Sequence, residues 1–123
     1  MGNIESKLNL VRSKLRSEAK KAKKEKENAD RIAREKSDEK REFDETVRSA
    51  NAGNAYSQLI LGKAYRNGYM VSQSDEQAFQ WFLKAANGGN KEAMELVGDC
   101  YKDGIGTKVD LVKARKYYAK AME

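Results

Sequence analysis

Apolar positions are sparse before residue 51 and fall into short helical stripes after it. Ser57, Leu61 and Tyr65 are spaced by four, and Ala78, Trp81, Phe82 and Ala85 share one face at three-and-four spacing, so each stripe predicts a helix. A shift of 36 positions reproduces the whole pattern. Gly53–Gly68 falls on Gly89–Gly104, with Gly62 on Gly98, Tyr65 on Tyr101, Ala78 on Ala114, Trp81 on Tyr117 and Lys84 on Lys120. A fixed period of this length predicts stacked helix hairpins, with repeats over 51–88 and 89–123. Gly68, and Gly104 with Gly106, are placed to end the first helix of each hairpin, and Ser74 and Asp110 to cap the second. Gly62 and Gly98 stand inside helices, where glycine costs about 1 kcal/mol against alanine unless a neighbour packs on its bare backbone. Close helix contact is therefore expected at both. The rings of Tyr65, Trp81, Tyr101 and Tyr117 are expected to fill the wider spaces between layers.

The first half of the chain reads differently. Ile4, Leu8, Val11 and Leu15 make one aliphatic stripe, with Lys7, Arg12, Lys14 and Arg16 over much of the remaining surface. Ser17 to Lys36 are almost all Ala, Lys, Glu and Arg, which predicts a long exposed helix. Ala19, Ala22, Ala29 and Ala33, interrupted by Lys26, offer a thin seam for a coiled coil beside the alternative of a solvated helix. Ser37 and Asp38 are good N-cap types, so residues 1–36 are read as one charged helix and a new helix or a bend is expected at 37. Phe43, Val47 and Ala50 stand one period before Phe79, Leu83 and Ala86, so residues 37–50 predict a capping half-repeat. The closing YYAKAME leaves a helix still apolar, an end expected to be covered or to mark a truncation.

Composition narrows the class. Of 123 residues, 39% are hydrophobic and 36% charged, with no Pro and no His. No apolar run approaches the ~18 residues that cross a bilayer, so a soluble, cytoplasmic helical protein is expected. Cys100, the single cysteine, lies in an apolar helical pattern and is expected to be a packed thiol. The net charge of +6 equals the excess of the first 24 residues, which hold eight Lys or Arg against Glu5 and Glu18. Electrostatic partners are therefore sought there. The opening MGNIES fits the pattern for myristoylation of Gly2, and with Lys20, Lys21, Lys23 and Lys24 it would form the two-part signal of a peripheral membrane anchor.

The residues Ala93, Val97, Gly98, Tyr101, Gly104, Gly106, Asp110, Ala114, Tyr117, Lys120 and Ala121, and in the preceding unit Leu61, Gly62, Tyr65, Gly68, Ala78, Trp81, Lys84, Ala85 and Ala86, resemble the Sel-one-like repeat family, a relative of the tetratricopeptide repeats. The departures are Ser57, Met70 and Ser74, which put the shape of the first loop in question. The resemblance covers 51–122. It implies an all-α solenoid and a role in holding partner proteins; with the half-repeat at 37–50 and the charged helix before it, the expected fold is all-α, a short α/α solenoid of about two and a half repeats behind a long charged helix.

No cofactor is expected. Glu95, Asp99 and Asp103 form an acidic row at helical spacing, but a solvated face explains it, and DGIGTKVD lacks the alternating oxygen ligands of a calcium loop. No nucleophile or general-base constellation is visible, so an enzyme is not expected. The leading function is a protein-binding adaptor whose basic helix anchors it to a membrane surface or larger assembly. The alternative is a nucleic-acid-associated factor using Lys20, Lys21, Lys23 and Lys24 against phosphates. First helices usually line the concave surface of such stacks, so the partner is expected at Gln58, Lys63, Arg66, Glu95, Asp99 and Lys102. A stack this short is also expected to gain support from self-association or a larger complex.

Overall fold

A computed structural model describes residues 2–123, with side chains from residue 3 onward. Five helices follow one another: α1 (Gly2–Asn51), α2 (Ala55–Asn67), α3 (Asp75–Asn87), α4 (Lys91–Asp103) and α5 (Leu111–Ala121). Contacts divide the chain into two compact units, one through Glu39 and the other Lys40–Glu123.

The first unit is helical throughout, and every described side chain in it is exposed. No new helix starts at Ser37 and Asp38, because α1 continues through both residues to Asn51. The reason is local: residues 17–50 contain neither Gly nor Pro, and one Ser and one Asp inside a run of Ala, Glu, Lys and Arg cost about half a kcal/mol each. The change sits in the packing instead.

The second unit is the solenoid. Its capping half-repeat is the end of α1, where buried Ala50 and half-buried Phe43 and Val47 pack with Leu61, Ala64, Tyr65, Val71 and Trp81. Phe43 meets Tyr69 edge to face at 6.4 Å between centroids. The main core lies between α2, α3, α4 and α5, with Leu59, Phe82 and Val97 as its most deeply buried large side chains. Phe79 meets Tyr101 edge to face at 5.2 Å, and Tyr101 stacks on Tyr117 at 5.9 Å. Of the four rings expected between layers, Tyr101 is buried and Tyr65, Trp81 and Tyr117 are half-buried. The deepest ring belongs to Phe82. Trp81 and Tyr117 keep one face toward solvent, each beneath a lysine one turn on: Lys84 Nζ is 4.3 Å and Lys120 Nζ 5.2 Å from the ring centre.

The two hairpins are built by the same devices. Asn54 and Asn90 cap α2 and α4 by accepting from the N–H groups of Ser57 and Ala93, both at 2.8 Å. Ser74 and Asp110 cap α3 and α5 as the pattern indicated. The N–H of Ser74 donates to the Tyr65 carbonyl at 2.9 Å, and that of Asp110 to the Tyr101 carbonyl at 2.8 Å, which fixes how each loop returns. Gly62 lies under the Phe82 ring and Gly98 under the Tyr118 ring. Met70 replaces the second loop glycine without changing the loop: its φ is 61°, against 70° at Gly106.

The repeat ceases to be identical on α5. Phe79 and Ala86 are buried where α4 stacks on α3, whereas Arg115 and Met122 at the same positions of α5 are exposed, Met122 at 88%.

Candidate functional site

The last turns of α2 and α4 and the first turn of α3 meet around a cavity of about 300 Å³. Ala78, Phe82, Leu96 and Ile105 give it apolar walls, and Arg66, Asp75, Asp99, Lys102 and Asp103 surround it with charge. Three of the five charges have a local reason to stand there. Arg66 and Lys102 occupy helix C-terminal turns, where the macrodipole favours cations, and Asp75 opens α3, where it favours anions. Gln73 Nε2 donates to Asp75 Oδ1 at 2.8 Å, and the Arg66 guanidinium carbon stands 5.8 Å from the centre of the Phe82 ring. The Tyr118 hydroxyl donates to Asp99 Oδ1, which ties α5 to α4 beside the cavity.

Three carboxylates outnumber two cations, and the local field follows. The hydrogen bond to Asp99, with burial behind it, pushes Tyr118 up to about 12, so its hydroxyl remains a donor at neutral pH. Cys100 forms part of the wall, and its thiol is pushed up to about 11, first by burial and then by Asp99 and Asp75, with Arg66 opposing. It stays a protonated, packed thiol.

Of the six partner-site residues expected from the pattern, the structure brings Arg66, Asp99 and Lys102 together at this cavity. Lys63 is on the same helix but is engaged with Glu92 of the next hairpin at 2.6 Å. Glu95 is exposed and outside the cavity lining. Gln58 is a correction: it is only 8% exposed, and its Nε2 donates to the Ala50 carbonyl at 3.1 Å. Counting outward from Leu61 and Tyr65 overlooked that the end of α1 covers this part of α2. Asp75, Asp103, Phe82, Leu96 and Ile105 were missed as lining residues. Asp103 did carry a signal, through its helical spacing from Asp99, while Asp75 and Ile105 arrive only through the loop returns.

On α1, Lys20, Lys21, Lys23 and Lys24 are exposed. Acylation of Gly2 concerns a residue outside the described side chains. No described helix is long and apolar enough to cross a membrane, and among the described residues no group of three His, Cys, Asp or Glu is placed to hold a metal ion.

Comparison with known proteins places this geometry. The sequence pattern of the Sel1 repeat matches residues 55–90 and 91–123. Among solved structures, a Sel1 repeat protein from Oxalobacter formigenes is 39% identical with a TM-score of 0.61, the similarity covering 63% of this chain and 22% of that one. A protective antigen of uropathogenic Escherichia coli displaying an SLR fold is 35% identical with a TM-score of 0.62, covering 64% and 17%. Cysteine rich protein B of Helicobacter pylori, 21% identical with a TM-score of 0.66 over 68% and 63%, shares the fold. The chain thus spans about a fifth of the length of the first two. Among curated proteins no sequence match is found.

Proposed function

Because the chain belongs to the Sel1 repeat family, whose members are generally protein–protein interaction modules, we propose that it is a non-enzymatic adaptor that seats a segment of a partner protein at the α2/α3/α4 cavity. The observation that carries this reading is the convergence of Arg66, Asp99 and Lys102 around apolar walls, since apolar volume gives affinity and a mixed charged rim gives register. The basic helix α1 completes the reading by fixing the module to a membrane surface or a larger assembly.

Affinity capture from the native host, with the wild-type chain and an Arg66→Glu/Asp99→Asn variant as paired baits, tests it. Asn keeps an acceptor for Tyr118, so the melting temperature should hold while a specific partner is lost. Equal recovery by both baits would move the site away from this cavity.

A further inference from the structure

Ile4, Leu8, Val11 and Leu15 form an exposed stripe on α1; Ile4 is 70% and Leu15 59% exposed. The charges beside it are arranged in two rows. Lys7, Lys14 and Lys21, seven apart, follow one edge, and Arg12, Arg16 and Lys23 follow the other. All are exposed. Beyond the stripe comes the cluster Lys20, Lys21, Lys23 and Lys24, so most of the chain's net positive charge is collected around and immediately after one narrow apolar face.

The occupant must accept both features, and their arrangement distinguishes among candidates. A second copy pairing in parallel along the seam would set Lys7 against Arg12 and Lys21 against Lys26 across the two helices, all like charges. The seam is also too short for a coiled coil. Large aliphatic residues fill it without interruption only from Ile4 to Leu15; its following inward positions are Glu18, Ala22, Glu25 and Ala29 before Ile32, so carboxylates and alanines stand where stable pairing needs three or four sustained heptads. A bilayer interface requires neither a matching seam nor residues beyond Leu15. It takes up a short aliphatic stripe, and long basic side chains on both edges reach from that depth back to the headgroups. An anionic leaflet then adds attraction for the lysine cluster.

We infer that residues 4–24 are an interfacial helix that binds anionic lipid bilayers, with Ile4, Leu8, Val11 and Leu15 among the acyl chains, the flanking Lys21 and Lys23 on the headgroups, and Lys20 and Lys24 on the far side of the helix adding to the positive field that draws it to the anionic surface. This rests on the anchoring part of the proposed function and commits it to one surface.

The full chain is floated with phosphatidylcholine vesicles that contain or lack phosphatidylserine, at low and high salt. Binding is expected only with phosphatidylserine, weakening as salt is raised. Leu8→Gln/Leu15→Gln, which keeps helix propensity, should lower binding about tenfold or more, and so should replacing the four lysines with Gln. Circular dichroism confirms that the variants remain helical. No binding to the anionic vesicles, or binding that the leucine pair does not alter, overturns the inference. So does a wild-type dimer that the leucine pair dissociates, or a preference for duplex DNA over the vesicles. Because the partner-capture test varies only Arg66 and Asp99, failure of the membrane helix and failure of the cavity reading remain distinguishable.

Discussion

Met70 and Gly106, one repeat apart, hold the same left-handed backbone, at φ 61° and 70°, although only one of them is a glycine. A side chain in that region is strained by about 1–2 kcal/mol, and Met70 tolerates it because the surrounding loop is fixed at both ends by the Gly68 cap and the Ser74–Tyr65 hydrogen bond.

Met70→Gly should therefore stabilise the solenoid by about 0.5–1 kcal/mol, the relief of strain exceeding the added freedom of the unfolded chain. Gly106→Ala should do the opposite and by more, because a Cβ there would also collide with the Asp75 carbonyl and Phe79. Thermal melts of the two variants should move in opposite directions.

The mid-helix glycines yield a graded test. A Cβ on Gly62 would stand 2.6 Å from the Phe82 ring, and Phe82, only 2% exposed, has nowhere to go. Gly62→Ala should cost about 1–3 kcal/mol despite the better helix propensity of alanine. Gly98→Ala makes the same approach to Tyr118, a half-buried ring with room to yield, so its cost should be smaller. Phe82→Ala sets the upper end, at about 3–5 kcal/mol. Denaturant unfolding that ranks Gly98→Ala as the costlier glycine change would contradict this account.

Tyr118 predicts an alkaline response. Its hydroxyl ionises near 12 in the folded protein against 10 for the free group, so the folded state prefers the neutral phenol. That preference is fully present below pH 10 and is lost as pH rises from 10 through 12. Ultraviolet titration should show one of the six tyrosines ionising last, and Tyr118→Phe should remove that component and flatten the alkaline loss of melting temperature. If Tyr118→Phe instead removes a tyrosine that ionises with the others and leaves the latest component in place, the Tyr118–Asp99 bond does not raise the Tyr118 hydroxyl.

How much was legible in the sequence depends on how local the cause is. The repeat, the caps at Ser74 and Asp110 and the role of Gly62 and Gly98 follow from spacing, because helix hairpins are built from near neighbours. The conformation of Met70 could not be read this way, since a methionine shows no preference for it and the loop ends impose it. Gln58 was misplaced because its burial comes from α1, not from its own hairpin. Of the candidate cavity, Arg66, Asp99 and Lys102 were found by counting along α2 and α4. The walls were not, because Phe82 and Ile105 reach it from α3 and a loop. The continuity of α1 through Ser37 shows the converse: cap-type residues start a helix only where something else ends the previous one.

The contrast between α3 and α5 bears on how this fold could be lengthened. Phe79 and Ala86 form the landing surface for the following hairpin, and the same two places on α5 carry Arg115 and Met122. A grafted copy of residues 91–123 would thus meet a guanidinium where its own Tyr101 packs on the Phe79 ring in this structure, and an exposed thioether in place of a buried methyl group. Two substitutions, Arg115→Phe and Met122→Ala, would give α5 the same two side chains that α3 presents to α4.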